Sequence, residues 1–232
     1  MIIDTSFDFR TDAKGKDVDS HSPTLKKYHQ NLWSKPLPMG GELILDNKLE
    51  NHSSVGEFRF ASDSIIHAFE YWESYQNIID QIPADDIKHF VDKSYTIAGM
   101  LIFPANKVDN KKTINGCRGT NKQIQDRIDL TMECIRLYYE GKTSPLYECL
   151  SRYRSFFNLF GDFKGYTEFF LLQDLVEERT NRIRFFLPFE RFGVNILPEN
   201  KEEYIRYMNN CLEFVDKRSR RIAMWGNTDK GK

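Results

Sequence analysis

The chain has 232 residues, with 33 Lys and Arg against 34 Asp and Glu, which gives a formal net charge of −1. A hydrophobic content of 40% and an aromatic content of 14% exclude a disordered polyelectrolyte. The charge balance excludes a histone-like nucleic-acid binder while leaving room for a local basic patch. No apolar run approaches the ~20 residues that a bilayer-spanning helix needs. The first residues, MIIDTSFDFRTD, carry acids where a secretory leader needs a basic start and a long apolar stretch. The expectation is a cytoplasmic protein with no membrane contact. Cys117, Cys134, Cys149 and Cys211 lie far apart without a C-x-x-C pair, which argues for reduced thiols and against a structural zinc site.

Residues 1–12 alternate, with Phe7 and Phe9 on one side and Asp8, Arg10 and Asp12 on the other, as in a half-buried strand. After a polar loop at 13–21, Ser22 and Pro23 provide an N-cap and a first helical residue. The helix carries Leu25, Tyr28, His29 and Leu32 on its apolar stripe and ends near Trp33. Short strands are expected at 42–46 and 57–60. A long helix is expected from Ser62 or Asp63 to about Ile82, on the near-heptad spacing of Ile65, Phe69, Trp72 and Ile79. Pro83 opens another helix to about Tyr95, and YTIAGMLIFP (95–104) reads as a strand buried on both faces.

Residues 105–120 read as a basic loop with a brief extended piece at 113–114. Thr120 or Asn121 then caps a helix to about Glu140. Ser144-Pro145 starts a helix through about Phe160, and another is expected over 166–178. A strand at 182–189, a helix over about 200–222 and a flexible tail at 223–232 complete the chain. With no repeat and no long linker, the reading is an α+β chain: a single domain over 1–222, with a small mixed sheet covered by six to seven helices.

Two regions can carry chemistry. Residues 4–35 hold Asp4, Asp8, Arg10, Asp12, Asp17, Asp19 and His21, then Trp33 and Lys35. The acids can offer oxygen ligands to a divalent metal, the one cofactor the sequence suggests, and an Asp–His pair can act as general base. Between Lys107 and Lys122 there are five basic residues and one acid, with Gly116 and Gly119 flanking Cys117-Arg118. Glycines before a helix start can let backbone amides approach an anion, and Arg118 can grip it with two donors. Neither a phosphate-binding P-loop nor a dinucleotide fingerprint is present. Farther on, Asp129, Glu133 and Arg136 share a helix face and read as salt-bridged surface unless that face is buried. The aromatics from Tyr153 to Phe170 read as core, and the basic run at 217–221 reads as a helix end.

The strings SFDFRTD, DSHSPTLKKYHQNLWSKPLP, TINGCRGTNKQIQDRIDLTMECIR and FFNLFGDFKGYTEFFLLQDLV resemble a bacterial family known only as a domain of unknown function. The resemblance spans about residues 3–192. It implies a single intracellular domain and brings no established reaction.

The functional expectation is an enzyme that hydrolyses or transfers a group on a phosphate-bearing ligand, a nucleotide or a nucleic acid. Asp8, Asp12, Asp19 and His21 are its candidate acids and bases. Arg10, Lys35, Arg118, Asn121 and Arg127 are its candidate ligand-binding residues. The alternative is a non-enzymatic module that binds a protein partner or nucleic acid, the latter through 107–122 and 217–221. The enzyme reading requires the acidic and basic segments to converge in one pocket.

Overall fold

A computed structural model describes residues 2–228, with side chains to Trp225. The order is α1 (Arg10–Ala13), α2 (Val18–His21), α3 (Pro23–Trp33), β1 (Phe60–Ser64), α4 (Glu73–Ile79), α5 (Ala84–Ser94), a 3₁₀ turn (Ile97–Gly99) and β2 (Met100–Pro104). There follow α6 (Ile114–Thr120), α7 (Ile128–Tyr139), α8 (Tyr147–Arg152), α9 (Arg154–Asn158), α10 (Phe163–Phe169), a second 3₁₀ turn (Gln173–Leu175) and α11 (Lys201–Thr228). The α+β class stands, and the small sheet consists of β1 and β2, antiparallel, in the register Phe60↔Pro104 to Ser64↔Met100. There are eleven helical segments among the described residues in place of the expected six to seven, because several long helices are interrupted.

The interruptions have local causes. The helix expected from residue 62 to residue 82 is confined to α4, because Ser62 and Asp63 belong to β1 and Phe69 adopts a left-handed backbone (φ 57°). The helix expected from 121 starts only at Ile128, because Gln125 (φ 48°) and Asp126 (φ 58°) are both left-handed. Leu171 (φ 56°) ends the run that follows α10. The basic loop contains α6: Thr113 accepts a hydrogen bond from the Gly116 amide, so Gly116 and Gly119 lie inside the helix and not ahead of it. The first strand is absent, since Asp8 Oδ1 accepts the Arg10 amide and turns the chain into α1. At 42–46 and 182–189 only isolated bridges form, Pro36↔Glu42, Leu45↔Asn51 and Val176↔Ile183.

Other expectations hold. Ser22 caps α3 through the Leu25 amide with Pro23 in the first turn, and all five residues of β2 are buried. Phe156, Phe157, Phe160, Phe163, Tyr166, Phe169 and Phe170 are core. Gly99 is required where the first 3₁₀ turn presses on α5, since a Cβ there would sit 2.2 Å from the Lys93 carbonyl oxygen. The expected tail is helical as far as Thr228, and residues 229–232 lie outside the described residues.

The basic run at 217–221 is not a helix end. Lys217 pairs with Glu213, Arg221 pairs with Asp174, and Arg218 is fully buried. Its Nη1 donates to the carbonyls of Ala98 (2.8 Å) and Met100 (2.6 Å), and Nη2 donates to Phe170 (3.2 Å). Burial opposes the charge and pulls its pKa down to about 9, so it remains protonated at neutral pH. Nearby, His29 is also fully buried, and burial pulls it down to about 3. The Trp33 indole donates to its Nδ1 (3.0 Å), so Nε2 carries the proton and donates to Ser62 Oγ (2.9 Å). Arg218→Met should leave buried carbonyls without donors, at about 1–3 kcal/mol for each one orphaned. Urea denaturation should show a loss of about 3 kcal/mol or more, and a near-neutral variant would mean that these carbonyls find other donors.

Candidate functional site

Alternation along β1 places Ala61 and Asp63 on one face of the sheet, opposite Phe103 and Leu101 of β2. Arg118 of α6 lies over that face, its guanidinium 5.4 Å from the Phe103 ring centroid. It is fully buried, and each part of its fork is engaged. Nε donates to Thr131 Oγ1 (3.0 Å) and Nη1 to Asp63 Oδ2 (2.6 Å). Nη2 donates to the Asp126 carbonyl and lies 3.4 Å from Asp126 Oδ1. The left-handed pair at 125–126 delivers this second carboxylate. His67 completes the group, with Nδ1 3.8 Å from Asp126 Oδ2.

One buried cation thus joins two acids and stands near an imidazole. Asp63, Asp126 and His67 each retain 24–30% side-chain exposure, so solvent and small ligands can reach them. Burial raises the Asp63 pKa to about 6 against the pull of Arg118, and the charges of Asp126 and Asp19 push the same way. Burial also raises Asp126 and lowers His67, whose depression the Arg118 charge deepens. Three buried atoms of this neighbourhood, Asp126 Oδ1, His67 Nε2 and Asn115 Oδ1, lack a hydrogen-bond partner. A carboxyl of raised pKa next to a second carboxylate can deliver a proton and take one back.

The outer edge of β1 leads from this group to a cleft. Asp19 Oδ1 accepts the Ser62 amide (2.9 Å), and Asn115 Nδ2 donates to the Ser62 carbonyl (3.1 Å). Asp19, Lys26, Lys48, Arg59 and Ala61 line a cleft of about 400 Å³. Lys26 Nζ donates to the Ser20 carbonyl (2.7 Å), whereas the Lys48 and Arg59 side chains form no ion pair among the described residues. The floor of the cleft includes Ala61, two residues before Asp63 on the same strand face.

Of the residues selected from sequence, Asp19 and Arg118 bond neighbouring residues of β1, Ser62 and Asp63, and the others lie elsewhere. Asp8 pairs with Arg10, which also pairs with Asp92 and lies over Tyr95. Asp12 accepts Ser22 Oγ (2.6 Å) and the Thr24 amide (3.0 Å), so it reinforces the start of α3. His21 is exposed, with Nδ1 3.2 Å from the Asp17 carbonyl. Lys35 donates to the Phe169 carbonyl and lies over that ring. Asn121 bridges the Pro145 carbonyl and the Gln123 amide. Arg127 is fully buried, pairs with Asp129 and donates to the Ile196 carbonyl, while Asp129 accepts the Phe186 amide. The face carrying Asp129 and Glu133 is buried, and its charges are paired, Glu133 with Arg136.

Asp63 was hidden from the sequence by the helix expected there, and His67 carried no motif. The one available signal is the Phe58, Phe60, Ser62 alternation, which continues the strand and puts Asp63 on the face of Ala61. Among the described residues a single grouping, Asp46, Glu50 and His52, places possible metal-ligand atoms within 4.8 Å of one another. It lies at the surface, with His52 Nε2 already 3.0 Å from Asp46 Oδ2, and the acids of residues 4–19 form no such grouping. No helix among the described residues is long and apolar enough to cross a membrane.

Neither a curated protein nor a solved structure matches the chain. A family model does, over residues 3–222, and the chain belongs to that family of unknown function, DUF6994.

Proposed function

We propose that the protein is a bacterial cytoplasmic enzyme that hydrolyses or transfers a group on a phosphate-bearing ligand. Asp63 acts as general acid–base and Asp126 as its charged partner. The observation that carries this reading is one carboxyl of raised pKa joined to a second through a single buried guanidinium. Such pairs are costly to fold and recur where protons must move near neutral pH. Lys26, Lys48 and Arg59 supply positive charge at a cleft lined by Ala61, two residues before Asp63 on β1, which suits a phosphate or a nucleotide. In this reading Arg118 holds the two carboxyls on one cation and lowers the pKa of each. It is a positioning residue, since its donors are already taken.

A panel of nucleotides and phosphate esters, scored by phosphate release, tests the reaction. Asp63→Asn should lower the rate by about 10²–10⁴-fold while the circular dichroism spectrum is kept. Release that is unaffected by Asp63→Asn would remove Asp63 from the mechanism. Lys48→Ala with Arg59→Ala should abolish the thermal shift that a binding nucleotide produces in the wild type, and an undiminished shift would place the anion elsewhere.

The raised pKa also predicts a stability profile. Between its ordinary 3.8 and about 6, the folded chain holds a proton on Asp63 that the unfolded chain releases. Its contribution to stability is therefore fully present below the lower value and is lost as the pH rises through about 6. Asp63→Asn should gain on the wild type across this window in urea midpoints, and parallel profiles would return Asp63 to ordinary acidity.

A further inference from the structure

Cys117 immediately precedes Arg118 on α6, and Cys149 lies on α8, the helix packed against it. Cys117 is half-buried and Cys149 is buried, and neither is in a disulfide. Cys149 and Arg152 stand one turn apart on α8, and both act on the surroundings of Cys117. Cys117 Sγ lies 3.7 Å from the Lys112 carbonyl oxygen and 3.7 Å from Arg152 Nη2, which also donates to that carbonyl (2.8 Å). Arg152 Nε is buried without a partner. Burial and the neighbouring Cys117 hold the Cys149 thiol up, while the Arg152 charge opposes them. One thiol that solvent can reach, a second on the helix packed against it and a cation beside them make the parts of a reactive dithiol. The remaining cysteines, Cys134 and Cys211, are fully buried and have other neighbours, Ser144 and Tyr207.

We propose that Cys117 and Cys149 form a peroxide-responsive pair whose disulfide repositions the helix that carries Arg118. Hydrogen peroxide meets Cys117 first: a sulfur–oxygen bond forms, the oxygen–oxygen bond breaks, and one water leaves. The Cys149 sulfur then attacks the resulting sulfenic acid. The sulfur–sulfur bond forms, the sulfur–oxygen bond breaks, and the departing oxygen takes a proton to leave as a second water. Two thiols and one peroxide give one disulfide and two waters. The sulfurs must close to about 2.05 Å, which draws α6 toward α8. Arg118 is the next residue, and its fork holds Asp63, Asp126 and Thr131 together, so the strain falls on the acid pair. Control of catalysis rests on the acid–base reading above, whereas formation of the disulfide does not.

The test uses the whole purified chain treated with hydrogen peroxide, then alkylated under denaturing conditions and weighed. The expected product loses two of its four alkylatable thiols together with two hydrogens, and its Cys117 and Cys149 peptides are joined. Cys117→Ser and Cys149→Ser should each abolish the link. Four free thiols after treatment, or Cys117 sulfinic acid without a link, overturns the pair. Carbon NMR of the Asp63 carboxyl in reduced and oxidised protein tests the coupling: a displaced titration midpoint is expected, and an unchanged one overturns control of the site. Asp63→Asn separates the two ideas, because it should retain the cross-link even if the acid pair proves catalytically idle.

Discussion

A guanidinium removed from water has to be met by oxygen, and three fully buried arginines impose that demand on this chain. Arg218 is the strongest case, because no carboxylate answers it. The oxygens come from backbone carbonyls at the first 3₁₀ turn, at the start of β2 and just after α10. One side chain of the last long helix therefore fixes where three earlier segments end. The strand that these contacts position is β2, and β2 in turn holds β1 and the face on which Asp63 stands. The site is thus set by an interaction made more than a hundred residues later in the chain.

The three arginines solve the same problem at different levels of compensation. Arg127 has its own carboxylate, Asp129, equally buried, and the pair ties α7 to the segments around Phe186 and Ile196. Arg118 has two carboxylates, neither fully buried, and so it leaves an excess of negative charge beside itself. Burial is what raises Asp63, against the pull of Arg118, and the Asp126 charge adds to it. A structural pair such as Arg127–Asp129 neutralises itself. The Arg118 group, with one cation to two carboxylates, does not.

Much of the architecture was legible where residue type and geometry agree. Ser22-Pro23 marked the start of α3, the run at 95–104 marked a buried strand of which the second half forms, the first half giving way to a 3₁₀ turn, and the aromatics from Phe156 to Phe170 marked core. Asp19 of the acidic segment and Arg118 of the basic one bond neighbouring residues of β1, Ser62 and Asp63, but the cleft that Asp19 lines does not include Arg118. What could not be read was where helices break. Phe69, Gln125, Asp126 and Leu171 adopt left-handed backbones without being glycine, and nothing in their identity announces it; tertiary contacts impose it. The same breaks place His67 and Asp126, so the site was hidden for the reason that the helices were overextended. Buried charge misled in the other direction. Arg127 and the 217–221 run look like surface in one dimension and are interior or paired in three.

The outer margin of β1 carries a further consequence. A two-stranded sheet is small, and an open strand margin invites a foreign strand to dock by backbone pairing. Here the Ser62 amide and carbonyl are occupied by Asp19 and Asn115, and the Phe60 amide donates to the Leu49 carbonyl. The chain uses side chains from distant segments as plugs, so that two strands suffice and a third cannot add. Protection of this margin is therefore bound in part to Asp19, which also borders the cleft. Any change at Asp19 would alter the cleft and at the same time uncover the Ser62 amide on this strand margin.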